Sequence, residues 1–192
     1  MSDRAYNAIL DARPEKIWPC IIDKTDFRQV LKFFRLLDDP DLSETEKYYY
    51  MLKIFFTVPP KEAPEKVLDA ILDFIACGKR DKESGEGSGS GAQTFCWNAD
   101  AGRIFASFWQ VYKIDLRKVK LHWWAFNELF QNLPEDSAVM KVIELRGRKP
   151  GKHDDKESRA ALRKAQAAVA IEGAKDNTAA LDDFFSAMVR GR

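Results

Sequence analysis

Leu121-His122-Trp123-Trp124-Ala125-Phe126-Asn127-Glu128-Leu129-Phe130-Gln131-Asn132-Leu133-Pro134-Glu135-Asp136 is the stretch on which the fold turns. Its apolar residues recur at helical spacing, so it reads as a helix from about Val119 to Asn132. Trp123 and Trp124 are adjacent, and adjacent helical side chains point about 100° apart. Both can be buried only where neighbours flank the helix on two sides. One reading is therefore a central core helix in an all-helical protein. The other is that one tryptophan anchors a partner, because Trp dominates binding hot spots. On that second reading the candidate partner-binding residues are Trp109, Trp123, Trp124, Phe126 and Phe130.

Upstream, Lys16-Ile-Trp-Pro-Cys-Ile-Ile22 reads as a short extended segment, at best an edge strand because of Pro19. Asp26 with Gln29 three residues later resembles a helix start, followed by Phe27, Val30, Leu31, Phe34 and Leu37 at helical spacing. Asp38-Asp39-Pro40 stops that helix. Ser43-Glu-Thr-Glu46 is a capping box ahead of Tyr48, Met51, Leu52 and Phe55, and Pro59-Pro60 ends the run. Pro64 suits the first turn of a third helix, which carries Val67, Leu68, Ile71, Leu72 and Ile75. Gly78 is placed to cap its C-terminus.

Residues 79–94 form a Gly/Ser-rich linker. Sixteen residues of this kind span about 20 Å as coil. The linker separates an N-terminal helical part, 1–78, from an aromatic-rich helical part, 95–149. Both are short enough to share one core. Asn98 is a candidate cap for a helix with Ile104, Phe105, Phe108, Trp109 and Tyr112 on its stripe. Pro134 opens another helix, ending near Arg146-Gly147. Residues 150–192 form a basic, alanine-rich tail. Lys156 to Ile171 is helix-prone but poor in large apolar groups, so shallow packing is expected. A last short helix is expected over Leu181-Asp-Asp-Phe-Phe-Ser-Ala-Met-Val189. The expectation is an all-α bundle of about seven or eight helices, with at most a short N-terminal extended segment.

The 192 residues are 45% hydrophobic, 12% aromatic and 32% charged, which suffices for a sizeable core. Net charge is only +1, so no global field steers the chain to nucleic acid or a membrane surface. The N-terminus lacks a basic region followed by an apolar run, so no signal peptide is read. The densest apolar run, Tyr48 to Phe56, falls far short of the roughly 20 residues that span a bilayer. Three scattered cysteines argue against a disulfide framework and suit a reducing cytoplasm.

Covalent chemistry finds little support. His122 and His153 are the only histidines, and neither sits at metal-ligand spacing. Asp38, Asp39, Asp41 and Glu44 lack the glycine and bidentate glutamate of a calcium loop, so they read as a solvated turn. Gly85, Gly87, Gly89 and Gly91 lack the Gly-Lys-Ser/Thr of a phosphate loop. Cys96 and His122 could make a nucleophile pair only by meeting in the fold; otherwise Cys96 is a small core residue. The stretch Arg146-Gly-Arg-Lys-Pro-Gly-Lys152, with Arg159, Arg163 and Lys164, is the best nucleic-acid candidate. Asp154, Asp155 and Glu157 dilute it, and no aromatic is interleaved for stacking. No catalytic, cofactor or metal residue is assigned, and no enzyme is expected.

Several motifs together resemble a family of tailed-phage and prophage proteins from Gram-positive hosts. The family is named after a phage gene product and grouped with tail assembly chaperones. The matching residues are Thr25-Asp26-Phe27-Arg28, Asp100-Ala101, Phe105-Ala-Ser-Phe108, Tyr112-Lys-Ile-Asp-Leu116, Leu121-His-Trp-Trp124, Phe126, Leu129-Phe130, Leu133-Pro-Glu-Asp136 and Ile143-Glu-Leu-Arg-Gly-Arg148. The resemblance covers roughly residues 17 to 164. Lys113 departs from the family pattern, which has glycine before Ile-Asp-Leu. The tail beyond Lys164 has no counterpart.

The resemblance implies a helical, non-enzymatic protein without cofactor, encoded near the tape measure protein. It would bind that chain, keep it soluble and help tail-tube protein assemble around it. It would work in the host bacterial cytoplasm and be absent from the mature virion. Self-association is open, and neither a membrane nor nucleic acid is an expected partner. The rival readings are a structural tail protein and a nucleic-acid-binding phage regulator. An apolar groove involving Trp109, Trp123 and Phe126 would suit a chaperone for amphipathic helices.

Overall fold

A computed structural model describes residues 20, 22–79 and 94–171. Among them lie seven helices and no strand. They are α1 (Phe27–Leu37), α2 (Glu44–Phe55), α3 (Pro64–Ile75), α4 (Ala101–Tyr112), α5 (Trp123–Gln131), α6 (Ala138–Gly147) and α7 (Lys156–Ala167). The fold is all-α, as the periodicities predict. An isolated antiparallel bridge pairs Asp26 with His122. Most of the expected extended segment, linker residues 80–93 and the short helix expected at 181–189 lie outside the described residues.

The first three helices begin and end where local chemistry puts them. The Asp26 carboxylate accepts the Arg28 amide at 3.0 Å and caps α1. Ser43 and Glu46 form the complete capping box of α2. Pro64 opens α3, where its missing N–H would have had no helical partner. At the other end of α3 the chain turns left-handed through Cys77 at φ 56° and Gly78 at φ +70°, and the Gly78 amide reaches back to the Asp73 carbonyl at 2.9 Å. That is the left-handed closure that satisfies a helix's orphan carbonyls.

Three later helix starts differ from the sequence reading. Asn98 does not cap α4; the chain turns through Asn98 and Asp100 takes the capping position. The helix set at Val119 begins at Trp123. Asp115 intervenes: its carboxylate accepts the Arg117 amide at 3.0 Å and its carbonyl accepts from Lys118 and Val119. An aspartate that binds the backbone two residues on favours a turn over helix propagation. Pro134 likewise opens a turn closed by the Ser137 amide at 2.9 Å, and α6 starts only after Ser137.

The chain divides into two compact units. The first holds α1, α2 and α3 together with residues 120–129; the second holds 94–119 and 130–171 among the described residues. Helix α5 thus gives Trp123–Leu129 to the first unit and its last two residues to the second. In the first unit aromatic edges run from helix to helix. Phe33 of α1 meets Phe55 of α2 at 5.4 Å, Phe55 meets Phe74 of α3 at 6.3 Å, and Phe74 meets His122 at 5.7 Å. Phe27 stacks on Phe126 at 4.5 Å. In the second unit Ile104 and Phe108 of α4 and Val139 of α6 are buried. Ser107 joins these two helices: its hydroxyl donates to the Arg103 carbonyl and accepts the Val139 amide at 3.2 Å. Helix α7 buries no residue, which matches its apolar-poor sequence.

Lys113 closes α4 in the left-handed region, at φ 58° and ψ 26°. A residue with a Cβ is strained there by roughly 1–2 kcal/mol. Glycine removes that strain but gains freedom in the unfolded chain, which offsets part of the benefit. Lys113→Gly is therefore expected to stabilise the protein by about 0.5–1 kcal/mol. A higher urea midpoint at unchanged slope is the result to look for. An unchanged midpoint would mean that Lys113 is not strained in solution.

Candidate functional site

The aromatic residues singled out in the sequence separate into core and surface. Trp123, Trp124, Phe126 and Phe130 are buried, whereas Trp109 is 52% exposed. The two adjacent tryptophans are both accommodated because α3 ends beneath them. The last carbonyls of a helix lack internal partners. The Trp123 indole N–H donates to the Ile75 carbonyl at 2.9 Å, and that of Trp124 donates to the Phe74 carbonyl at 2.8 Å. Gly78 leaves room for this contact: a Cβ there would lie 3.2 Å from the Trp124 ring. The indoles thus serve as donors at a helix end. Of the three rings named for an apolar groove, Trp123 and Phe126 are buried in the first unit and Trp109 is exposed in the second.

His122 completes this arrangement. Its Nδ1 accepts the Trp124 amide at 3.1 Å and its carbonyl accepts the Phe126 amide at 3.0 Å, so it caps α5. The Asp26 carboxylate accepts the Leu121 amide at 3.3 Å. Leu-His-Trp-Trp is therefore a structural unit, with leucine and histidine anchored to the first helix's start and both tryptophans to the third helix's end. Cys77 lies alongside. Burial pushes its thiol up to about 11, against a hydrogen bond from Asn127 at 3.4 Å. A thiol held neutral at physiological pH is a poor nucleophile. Cys96 belongs to the second unit and His122 to the first.

The second unit holds a buried ion pair that the sequence reading did not identify. The Arg146 guanidinium grips the Asp100 carboxylate with two bonds, of 2.6 and 3.0 Å. Asp100 has no exposed side-chain surface and Arg146 has 6%. Arg146 also donates to the Thr94 and Val169 carbonyls, while the Cys96 amide and Arg103 complete the shell of Asp100. Burial opposes ionisation of Asp100. The Arg146 bonds, the Cys96 amide and the charges of Arg146 and Arg103 outweigh it and lower its pKa. Gln166 of α7 donates to the Leu145 and Arg148 carbonyls, fastening the surface helix to the end of α6. Arg146 is therefore withdrawn from the basic stretch that was the best candidate for nucleic-acid contact. A hint lay in the motifs, since Asp100-Ala101 and Ile143-Glu-Leu-Arg146 are both among the matching residues.

Surface apolar groups are the remaining candidates for recognition. In the second unit Trp109 stacks on Phe105 at 6.5 Å, and the Arg117 guanidinium lies 4.7 Å over Phe105. In the first unit Tyr49 and Tyr50 are 52% and 44% exposed on α2. Beside them a cleft of about 610 Å³ runs between α1 and α2. Among the described residues no group of three or more His, Cys, Asp or Glu is placed to hold a metal ion. No helix among them is long and apolar enough to cross a membrane.

The described residues define an all-helical protein with exposed aromatic groups on α2 and α4. The sequence model of the Bacteriophage Gp15 protein family matches residues 22–171, and the chain belongs to that family of phage proteins. The match runs past Lys164, where the sequence resemblance was expected to stop. No curated protein and no solved structure gives a significant match.

Proposed function

We propose that this phage protein is a tail assembly chaperone that binds the tape measure protein and helps tail-tube protein assemble around it. Its membership of the Bacteriophage Gp15 family over residues 22–171 carries the reading. Exposed rings on ordered helices support it physically. A tape measure chain is long and helical, with apolar stripes uncovered until the tube encloses it. A chaperone for such a chain needs helix faces that offer apolar contact without sealing it in permanently. Trp109, half exposed and backed by Phe105, meets that need. The protein acts in the host cytoplasm, uses no cofactor, performs no covalent chemistry and leaves the assembling tail.

Co-expression with the tape measure protein tests this. The tape measure chain is expected to be insoluble alone and soluble with this protein. Trp109→Ala, which deletes an exposed ring, is expected to weaken the rescue while leaving the thermal midpoint in place. Finding the protein in stoichiometric amount in purified virions would instead identify a structural tail component.

A further inference from the structure

The cleft between α1 and α2 has a chemistry that selects one kind of occupant. Each helix supplies the same short pattern. Helix α1 offers Lys32, Arg35 and Leu36; helix α2 offers Tyr50, Lys53 and Ile54. Residues three and four apart share a helix face, so each helix sets a cation beside an apolar group along one wall. Leu42 extends the floor. The result is an apolar trough with a basic rim.

The rim is strongly one-signed. Lys24, Lys32, Arg35 and Lys53 line it, against the single carboxylate of Asp39. The whole chain has net charge +1, so this excess is a local concentration and not a reflection of composition. Asp39 is already engaged by the Asp41 amide at 3.0 Å. Lys24 is steadied by the Lys53 carbonyl at 2.7 Å, and the Lys53 ammonium sits 4.3 Å over the Tyr49 ring. Lys32 and Arg35 have no ion-pair partner among the described residues. A neighbouring recess shares Lys24 and Lys32 and adds Lys120, which prolongs the basic side. Its two carboxylates are occupied: Asp23 accepts the Thr57 amide, and Asp26 is bound by Arg28 and the Leu121 amide.

We infer that the α1–α2 cleft is a docking groove for an amphipathic helix of a partner protein whose polar flanks are acidic. This rests on the reading of the chain as a helix-binding protein and supplies the partner's chemistry. The trough follows α1, whose 11 residues make a helix of about 16 Å. Its floor therefore takes about three turns of a partner helix, with apolar residues at i, i+3 or i+4, and i+7. Acidic groups flanking that stripe would meet Lys32 and Arg35 on one side and Lys24 and Lys53 on the other. A basic helix would face four like charges, a penalty that discriminates more than it binds. Nucleic acid fits less well. The floor is leucine and isoleucine with a single ring, Tyr50, in T-shaped contact with Tyr49 at 5.5 Å. Bases need open aromatic faces on which to stack.

The test uses the full chain and fluorescein-labelled synthetic helices of about 15 residues. One carries leucine on the apolar stripe and glutamate elsewhere. A second has the same stripe with lysine elsewhere. A third keeps the glutamates and replaces leucine with serine. Fluorescence anisotropy is expected to show salt-sensitive binding of the first, with the other two at least about tenfold weaker. The double substitution Lys32→Glu with Arg35→Glu, both at exposed positions, should abolish that preference and favour the lysine helix. Equal binding of the lysine helix, or an unaffected double variant, would overturn the groove. So would single-stranded DNA binding with the same sensitivity to the double variant, which would assign the cations to phosphate. A dimer that the double variant dissolves would assign the cleft to a second copy and overturn it also. The two proposals fail separately. Acidic-helix binding without rescue of the tape measure chain refutes the chaperone reading alone. Rescue without acidic-helix binding refutes the groove alone.

Discussion

Asp100→Ala is expected to destabilise the protein by about 3–5 kcal/mol, enough to threaten folding at physiological temperature. The substitution leaves the Arg146 guanidinium 6% exposed and without its counter-ion. Arginine cannot shed its proton to escape that situation. The Thr94 and Val169 carbonyls remain as acceptors, but neither carries the neutralising charge. Arg146→Met should be milder. It leaves Asp100 with the Cys96 amide and Arg103, and a carboxyl can take up a proton where an arginine cannot release one. Combining Asp100→Ala with Arg146→Met should recover much of the loss, because no buried charge then lacks a partner. Urea unfolding of the two single variants and the double variant forms the thermodynamic cycle that measures this coupling. Strictly additive losses would show that the pair is not the linchpin of the second unit.

The same pair sets a pH signature. Asp100 has a lowered pKa in the folded protein, so its stabilisation is present above the ordinary carboxylate value of about 3.9. It disappears as pH falls through the lower, folded value. Acid unfolding of the wild type should therefore steepen below about pH 4, and Asp100→Asn should lose that leg of the profile.

The features most legible in the sequence were those fixed within a few residues. The Ser43 box, Pro64, Gly78 and the Asp38-Asp39-Pro40 stop all act over one helical turn, and each stands where its local chemistry requires. The left-handed Lys113 was foreshadowed in the same local way, by the glycine that the family pattern has there. What escaped was everything that depends on a distant partner. Asp100 and Arg146 are 46 residues apart, and nothing in either neighbourhood announces the other. The turn at Asp115 competes with a good helical pattern through a side chain whose preference is weak until the fold decides. The tryptophans are the clearest case. Their number and spacing demand flanking neighbours, but whether a neighbour belongs to this chain or another is a tertiary matter. Only the indole bonds to α3 answer it.

Those bonds make the second large effect predictable. Trp124→Ala is expected to destabilise the first unit by about 3–5 kcal/mol, the range for emptying a large aromatic site from a core. Two losses combine: the packing of a ring that is 5% exposed, and the donor on the Phe74 carbonyl at 2.8 Å. Trp124→Phe separates them. It retains most of the apolar volume and removes only the indole donor, leaving the Phe74 carbonyl with the Cys77 amide at 3.1 Å, a loss of about 0.5–1.5 kcal/mol. Trp123→Phe should behave alike, because its indole serves the Ile75 carbonyl in the same manner. Urea titration gives the magnitudes, and near-ultraviolet circular dichroism shows whether the remaining rings stay fixed. Neither Phe variant should impair tape measure rescue beyond the fraction of protein it unfolds. A Trp124→Phe protein of wild-type stability that fails to rescue would return this indole to the role of partner anchor. Equal stability of Trp124→Ala and wild type would mean that α5 does not close over the end of α3.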